Sequence, residues 1–307
     1  MKVGICFSGQ GAQSPGMFKK LYDEDGDVKE LFHSVGRILN RDIAGLCFEG
    51  TKEDLKITIN TQPCVLVCDI AAWLCLKKKK LEPNFFAGFS VGEYAALYAA
   101  GCLSLKDTFD IIKVRSEAMQ EAVPYGIGAM AALSIDDLDT LHKIFIEANA
   151  CNIWVSNINT KGQVVVSGYV DDVDKVCKHL DGIATVNKLP VSAPFHCELM
   201  EPAVKELEKL FLSIDFNDVK IPIICNYDAI PTVDGSELKR KVLLQTKSPV
   251  LWKNTMEVMH KNGVDTFVEC GPGRTLTGFV RKMMYDITSV NVNDTKSLEN
   301  SLKVLLG

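Results

Sequence analysis

Short apolar runs alternate with helical stretches over the first part of the chain. Val3–Phe7 is an apolar run that predicts a strand, and a glycine-rich loop from Ser8 to Gly16 follows it. The spacing of apolar residues predicts helices over residues 26–40 and 62–77, and Asn84–Ala87 is typical of a second strand. Strands and helices in alternation indicate a doubly wound α/β fold.

The pattern changes near residue 126. Its elements then follow the order strand, helix, strand, strand, helix, strand, which is that of a ferredoxin-like module. The predicted elements are strands over residues 128–133, 152–157, 163–167 and 184–191, and helices over residues 135–148 and 171–180.

The α/β pattern resumes after this module, with a helix predicted over residues 196–212 and strands near residues 221–225 and 266–269. We therefore expect a discontinuous α/β domain that is interrupted by a small inserted domain. The expected bounds are residues 1–124 and 192–307 for the α/β domain and 125–191 for the ferredoxin-like domain.

Composition excludes several classes of protein. The 307 residues are 47% hydrophobic and 24% charged, which is ordinary for a globular protein. The net charge of −5 and the lack of any basic block beyond Lys77–Lys80 argue against nucleic-acid binding. No signal-peptide pattern and no apolar run of about 18 residues is evident, so we expect a cytoplasmic protein that does not span a membrane.

The eleven cysteines do not form a recognisable disulfide or zinc pattern. Cys64, Cys68 and Cys75 lie at helical spacing in an apolar run, and no Cys-x-x-Cys pair occurs. Buried, reduced thiols fit this arrangement best, and we expect no metal site.

Gly88-Phe89-Ser90-Val91-Gly92 lies between a predicted strand and a helix predicted over residues 91–100. In a Gly-x-Ser-x-Gly turn of this kind, the serine hydroxyl stands above the sheet at a helix N-terminus, where free N–H groups can bind an oxyanion. A chance match in a glycine-containing turn is the alternative. The flanking elements favour Ser90 as a nucleophile.

A nucleophilic serine requires a base, and His196 is the best candidate. It follows a segment stiffened by two prolines and lies where a strand gives way to a helix. A structural histidine at this turn is the alternative, and the neighbouring Cys197 is a second, weaker nucleophile candidate. The other histidines lie in charge-rich helical surroundings and are interpreted as surface residues: His33, His142, His179 and His260.

No acidic residue between Ser90 and His196 stands out as the third member of a hydrolase triad. An amide or a backbone carbonyl is the remaining way to orient the imidazole.

Arg115 lies in the middle of the apolar face of the helix predicted from Leu105 to Glu121. A buried guanidinium without an anion is costly, so Arg115 requires a carboxylate partner. The sequence leaves two partners open, namely a fixed Asp or Glu of the protein and the carboxylate of a substrate.

Six motifs in one order resemble the malonyl-CoA:acyl carrier protein transacylase family of bacterial fatty-acid synthesis. The resemblance spans nearly the whole chain and implies an α/β-hydrolase-like large domain with a ferredoxin-like insert. The motifs are Ser8-Gly9-Gln10-Gly11-Ala12-Gln13, Thr61-Gln62-Pro63, Gly88-Phe89-Ser90-Val91-Gly92-Glu93, Arg115 with Met119-Gln120-Glu121-Ala122, Pro194-Phe195-His196 and Gly271-Pro272-Gly273.

The resemblance also implies roles. Ser90 is expected to be the acylated nucleophile and His196 its base, oriented by the backbone carbonyl of Gln245. Arg115 is expected to bind the malonyl carboxylate. The remaining implied positions are the oxyanion-hole N–H groups of Gln10 and Val91 and the pocket residues Gln62, Met119, Asn159, Phe195 and Phe89.

The chain departs from the family pattern at two positions. Phe89 stands where the family usually has histidine, and Ser8 stands where it usually has proline. The resemblance implies that Phe195 favours malonyl over branched methylmalonyl, because its large ring leaves no room for an extra methyl group.

The implied reaction is ping-pong. Malonyl-CoA acylates Ser90, CoA leaves, and the phosphopantetheine thiol of an acyl carrier protein attacks the ester. No permanently bound cofactor is expected. Three alternatives remain: an acyltransferase that loads carriers of a polyketide synthase, a hydrolase of acylated carriers, and a non-catalytic carrier-binding module.

Overall fold

The computed structural model describes residues 1–191 and 193–307. Residue 192, at which the second part of the α/β domain is predicted to begin, lies outside the described residues. In chain order, the strands of the described residues are β1 (Val3–Phe7), β2 (Phe85–Gly88), β3 (Gly128–Leu133), β4 (Ile153–Thr160), β5 (Gln163–Tyr169), β6 (Val186–Lys188), β7 (Ile223–Ile224), β8 (Pro231–Thr232), β9 (Thr266–Cys270) and β10 (Thr288–Val292).

Helices pack around these strands. The α-helices of the described residues are α1 (Lys19–Glu24), α2 (Gly26–Leu39), α3 (Ile43–Glu49), α4 (Thr58–Lys77), α5 (Gly92–Ala100), α6 (Leu105–Glu121), α7 (Leu138–Glu147), α8 (Val170–His179), α9 (Glu201–Phe211), α10 (Gly235–Gln245), α11 (Trp252–Lys261), α12 (Thr275–Met283) and α13 (Thr295–Leu306). The described part of the chain also has two short 3-10 helices, Asp54–Lys56 and Glu198–Met200.

The larger sheet has the strand order β10-β9-β1-β2-β7-β8. The strands from β10 to β7 are parallel, and β8 is antiparallel to β7. Every residue of the central strand β1 is buried, as expected for a parallel strand that is covered on both faces. The parallel strands end at one edge, and the loops that follow β1 and β2 carry the glycine-rich segment and Ser90.

Helix α4 is the one helix of the described residues that is long and apolar enough to span a membrane. This differs from the sequence-based expectation, because the helix begins at Thr58, earlier than predicted. Within the protein, 83% of its apolar window is buried. Its length and hydropathy are therefore those of a central core helix.

The smaller sheet is antiparallel, with the strand order β4-β5-β3-β6. Together with α7 and α8, it forms the predicted order β3-α7-β4-β5-α8-β6. Helix α7 begins at Leu138 rather than near Ile135, because the Asp137 side chain accepts hydrogen bonds from the backbone N–H groups of Asp139 and Thr140 and caps the helix there.

The helix predicted over residues 196–212 is interrupted at its start. His196 has a φ of 58°, which no right-handed helix contains, and a 3-10 turn separates it from α9. Helix α9 begins at Glu201 with Pro202 in its first turn. The positive φ removes His196 from the helix.

The predicted fold class is confirmed. The chain has a mostly parallel sheet covered by helices and a separate ferredoxin-like antiparallel unit. All eleven cysteines are free, with Cys151 exposed, Cys177 half-buried and the others buried. The bounds of the discontinuous domain stay a prediction.

Candidate active site

Ser90 lies at a sharp turn between β2, which ends at Gly88, and α5, which begins at Gly92. Its φ is 55°, a strained value for a residue other than glycine. A Cβ atom at Gly88 would lie 2.0 Å from the backbone of Gly92, and one at Gly92 would lie 2.3 Å from the carbonyl oxygen of Ser8. Both glycines are therefore required for α5 to pack this closely on the strands that position Ser90.

The side chain of Asn226 bridges this turn. Its Oδ1 accepts a hydrogen bond of 2.7 Å from the backbone N–H of Ser90, and its Nδ2 donates one of 2.6 Å to the carbonyl oxygen of Gly88. Asn226 is completely buried and follows β7, the neighbour of β2 in the sheet. The strained conformation of Ser90 is thus fixed from the adjacent strand.

His196 lies between Ser90 and the end of α10. Its Nε2 is 2.7 Å from Ser90 Oγ, and its Nδ1 is 2.9 Å from the carbonyl oxygen of Gln245. A carbonyl oxygen only accepts, so Nδ1 carries the hydrogen and Nε2 is free to accept the serine proton. Burial and, secondarily, the Arg115 cation lower the pKa of His196 to about 3, so the imidazole is neutral near pH 7.

Two backbone N–H groups beside Ser90 are available to a ligand. Within the described part of the chain, neither Gln10 nor Val91 donates its N–H to an acceptor. Val91 directly follows Ser90 at the start of α5, and Gln10 lies in the glycine-rich loop after β1. Free donors at a helix N-terminus are well suited to bind an oxyanion.

Arg115 projects from α6 and is completely buried. Its Nη2 donates to Ser90 Oγ at 3.2 Å and to Gln245 Oε1 at 3.0 Å, and its guanidinium carbon lies 5.4 Å from the ring centroid of Tyr94. No Asp or Glu of the described residues forms an ion pair with it, and its Nε and Nη1 have no hydrogen-bond partner there. The sequence left two possible partners for Arg115, a fixed Asp or Glu of the protein and the carboxylate of a substrate. The described residues include no fixed carboxylate at ion-pair distance from Arg115.

Glu93 is a buried carboxylate whose charge acts on this guanidinium. Its Oε2 accepts hydrogen bonds from Gln245 Nε2 at 2.8 Å and from the backbone N–H of Asn226 at 3.2 Å. Burial raises the pKa of Glu93 to about 7, whereas these hydrogen bonds and the Arg115 charge act in the opposite direction. Glu93 thus connects the groups that hold Ser90 with those that hold Arg115.

A cavity of about 330 Å³ lies between the two sheets and reaches Ser90 and His196. Residues of the small antiparallel sheet form one side of it, and α4, α6, α12 and the glycine-rich loop contribute the other. The predicted site residues that line it are Gln10, Gln62, Phe89, Ser90, Met119, Asn159, Phe195 and His196. Val91, Arg115 and Gln245 do not line the cavity, and Arg115 and Gln245 reach Ser90 through hydrogen bonds.

Two amide oxygens in the cavity wall have no partner among the described residues. They are Oε1 of Gln62, whose Nε2 donates to Met119 Sδ at 3.8 Å, and Oδ1 of Asn159, whose Nδ2 donates to Gln163 Oε1 at 3.2 Å. A buried acceptor without a donor is costly, so both oxygens favour a ligand that carries N–H groups.

The two departures from the family pattern have structural explanations. Phe89 packs against Trp252 and Phe279, with ring centroids 5.5 Å and 6.3 Å away, and gives the cavity an aromatic wall. The Ser8 backbone N–H donates to the carbonyl oxygen of Cys270 at 3.1 Å, and its hydroxyl donates to Asp69 at 2.6 Å. A proline has neither donor.

The weaker candidates do not contribute to this arrangement. Cys197 is buried and does not line the cavity, and its Sγ donates to the carbonyl oxygen of Pro194 at 3.1 Å. Burial raises the pKa of its thiol, which disfavours the reactive thiolate. No cluster of three or more His, Cys, Asp or Glu within the described ranges is arranged to hold a metal ion.

Comparison with known proteins decides the family. The profile of the acyl transferase domain family matches residues 5–298. The malonyl CoA-acyl carrier protein transacylase of Bacillus subtilis is 37% identical, with 99% of this chain and 97% of that protein covered. The chain belongs to this transacylase family. The Haemophilus influenzae family member is 34% identical, with 96% of each chain covered.

Solved structures of the family have the same fold. The transacylase of Clostridium perfringens has a TM-score of 0.94 and 35% identity, with 100% of this chain and 98% of that chain covered. A malonyl-transacylase in complex with its type II PKS acyl-carrier protein has a TM-score of 0.95 and 31% identity, with 99% and 100% covered.

Sequence reasoning missed Asn226 and Glu93. A signal existed for Glu93, because it is the one charged residue in the apolar helix α5, just as Arg115 interrupts the apolar face of α6. Asn226 had no comparable signal, since an asparagine after a short strand is typical of a turn. Sequence reasoning also assigned Gln245 only its backbone carbonyl, whereas its side chain has three further contacts.

Proposed function

We propose that this chain transfers a malonyl group from malonyl-CoA to the phosphopantetheine thiol of an acyl carrier protein, through an ester on Ser90, to supply extender units for fatty-acid synthesis. The contact of 2.7 Å between Ser90 Oγ and His196 Nε2, two residues that line a cavity, carries the proposal. The names of the family members support the substrates, and the hydrogen bond from Arg115 to Ser90 Oγ supports an acyl group that bears a carboxylate.

In the first half-reaction, Ser90 Oγ attacks the thioester carbonyl of malonyl-CoA while His196 Nε2 takes the hydroxyl proton. The developing oxyanion accepts hydrogen bonds from the backbone N–H groups of Gln10 and Val91. The C–S bond then breaks, and His196 returns the proton to the departing CoA thiolate. The N–H groups of Gln10 and Val91, which have no acceptor among the described residues, support this assignment.

The second half-reaction reverses these steps with a different thiol. His196 takes the proton of the carrier's phosphopantetheine thiol as its sulfur attacks the Ser90 ester. The collapsing intermediate releases Ser90, which recovers its proton from His196. The amide oxygens of Gln62 and Asn159, which lack a donor within residues 1–191 and 193–307, are suitable acceptors for the N–H groups of the pantetheine arm.

We propose that Arg115 determines the preference for an acyl group that carries a carboxylate. Its buried positive charge lacks an ion-pair partner among the described residues, so a malonyl carboxylate supplies the missing anion. Phe195 lies in the cavity wall, where its ring restricts branching beside the carboxylate. Both roles are proposals that the Ser90 geometry supports.

The proposed reaction uses only the two thiol carriers and this chain's own residues. Malonyl-CoA is the donor, the acyl carrier protein brings its own phosphopantetheine, and no step requires another cofactor. We place the protein in the cytoplasm, an assignment supported by its free and largely buried cysteines.

One relative favours a second candidate function, the loading of polyketide-synthase carriers. It is the malonyl-transacylase that was solved with its type II PKS acyl-carrier protein. The same chemistry on Ser90 serves either pathway, so the two functions differ only in the carrier that the enzyme prefers.

The test is a transfer assay with two carriers. The protein is incubated with malonyl-CoA and then with a holo-carrier of fatty-acid synthesis or one of a type II polyketide synthase. The proposal expects malonylated carrier to form, faster with the fatty-acid carrier. Faster loading of the polyketide carrier favours the second function, and release of free malonate without transfer identifies a hydrolase.

A further inference from the structure

Gln245 acts on the site through its side chain as well as its backbone. The backbone carbonyl accepts from His196 Nδ1 at 2.9 Å. The side-chain Oε1 accepts from Arg115 Nη2 at 3.0 Å, and Nε2 donates to the carbonyl oxygen of Ser90 at 2.9 Å and to Glu93 Oε2 at 2.8 Å. All five of these residues are buried, so these hydrogen bonds lie in a site largely shielded from solvent.

The direction of the Gln245 amide is determined by its neighbours. Nε2 faces the carbonyl oxygen of Ser90, which only accepts hydrogen bonds, and Oε1 faces a guanidinium, which only donates them. The reversed amide would place two donors against each other at Arg115 and two acceptors against each other at Ser90. Arg115 and the Ser90 carbonyl together therefore force Gln245 to present its oxygen to Arg115.

A neutral acceptor has a specific advantage at this position. The amide oxygen of Gln245 holds the guanidinium of Arg115 in place through one nitrogen. Because this oxygen carries no net charge, it does not neutralise the positive charge of Arg115. A carboxylate at the same position would form an ion pair with Arg115 and compete with any incoming anion. Nε and Nη1 of Arg115 have no hydrogen-bond partner in the described part of the chain, which agrees with a guanidinium that is held but not neutralised.

We propose that the side chain of Gln245 is a positioning residue for Arg115 and thereby sets the preference for acyl groups that carry a carboxylate. This role is separate from that of its backbone carbonyl, which holds His196. The inference rests on the proposed function, since it requires that Ser90 is acylated from a thioester.

The test compares malonyl and acetyl loading of Ser90 in Gln245→Met. Methionine keeps the length of the side chain and the backbone carbonyl but removes the amide. Rapid-quench intact mass spectrometry over a range of malonyl-CoA and acetyl-CoA concentrations gives kcat/KM for each. We expect the malonyl-to-acetyl ratio to fall roughly tenfold, mainly through a higher KM for malonyl-CoA, because an anchor of the charged group is lost.

Gln245→Glu provides a second, independent variant. It keeps an acceptor towards Arg115 but adds a charge that pairs with the guanidinium, so the malonyl-to-acetyl ratio should fall in this variant as well. Arg240→Met is the matched control, because Arg240 lies on the exposed side of the same helix and pairs with Glu237 at 2.8 Å. The ratio should not change in the control, and a melting curve establishes that each variant is folded.

Loss of malonyl and acetyl loading in equal proportion in the folded variants would overturn the inference, since it would mean that the side chain only supports His196 or the turn. An unchanged ratio with full activity would overturn it too. A wild-type protein that takes up neither acyl group overturns the proposed function and this inference together, a result that the wild-type measurement alone identifies.

Discussion

The Oδ1 atom of Asn226 lies 2.7 Å from the backbone nitrogen of Ser90, and the Nδ2 of the same side chain lies 2.6 Å from the carbonyl oxygen of Gly88. One amide therefore satisfies a donor and an acceptor on the two sides of the strained turn. The backbone N–H of Asn226 in turn donates to Glu93, so β7 and α5 are connected directly behind Ser90. This connection makes Asn226 part of the support of the site, although it does not line the cavity.

Replacing Asn226 with alanine leaves the N–H of Ser90 and the carbonyl of Gly88 buried without partners. We expect the free energy of unfolding to fall by roughly 1–3 kcal/mol for each unsatisfied group, and the rate of Ser90 acylation to fall as well. Chemical denaturation and acyl-enzyme kinetics measure the two effects. Asn217→Ala is the control, because its exposed side chain makes one hydrogen bond among the described residues, of 3.3 Å to the carbonyl oxygen of Cys102. Equal, small effects in both variants would contradict the bridging role.

Arg115→Met tests the selection of the acyl group. Removing a charge-assisted contact to the substrate carboxylate should lower the malonyl-to-acetyl loading ratio roughly ten- to hundredfold, equivalent to about 1.5–3 kcal/mol. Arg115→Lys should recover only part of this ratio, because an ammonium group lacks the planar fork of the guanidinium. A lowered melting temperature with an unchanged ratio would mean that Arg115 is a structural residue.

Glu93 should make stability depend on pH. Its pKa is raised from 4.5 to about 7 in the folded protein, so the folded state binds a proton more tightly than the unfolded state does. Protonated Glu93 contributes fully to the free energy of unfolding below about pH 4.5. This contribution is lost as the pH rises through 7. The free energy of unfolding of Glu93→Gln, measured relative to that of wild type, should therefore increase between pH 5 and pH 8. The increase should be on the order of 3 kcal/mol at most.

Urea denaturation of both proteins at several pH values checks this prediction. The groups that face Glu93 from other elements, Arg115, Cys225 and Gln245, are the same in both proteins, so the difference between the two curves isolates Glu93. A difference that does not change with pH, or that changes in the opposite direction, would contradict the burial of a carboxylate at this position.

His196→Gln should slow acylation and deacylation of Ser90 by roughly 10²–10⁴ each, which is the usual contribution of a positioned proton-transfer group. Glutamine keeps a polar side chain of similar length but cannot take up a proton. Stopped-flow or rapid-quench kinetics of the two half-reactions measure the loss. A variant that retains near-wild-type rates would assign the base to another residue.

The sequence was sufficient for the parts of the site that depend on local signals. Gly88-Phe89-Ser90-Val91-Gly92 predicts a sharp turn because two glycines flank a strand end and a helix start, and the structure has this turn. Arg115 was recognised because a charge interrupts an apolar helix face. The order of elements in the ferredoxin-like unit followed from periodicity alone.

The side-chain contacts of Asn226 and Gln245 were beyond sequence reasoning. Asn226 and Gln245 follow Ser90 by more than a hundred residues, and only the parallel pairing of β2 with β7 and the position of α10 bring them together. Periodicity also failed at His196, whose positive φ delays the start of the predicted helix to Glu201. A local pattern cannot show this backbone conformation, which accompanies the contact between His196 and Ser90.

The most direct test of the central claim is intact-protein mass spectrometry after exposure to malonyl-CoA. Wild type should gain the mass of a single malonyl group, with the label located on Ser90 by peptide mapping, and should lose it when a holo-carrier is added. Ser90→Ala should gain none while keeping the wild-type melting temperature, and Cys197→Ala should load normally. A malonyl adduct of undiminished yield on Ser90→Ala, or one located on Cys197, would contradict the account.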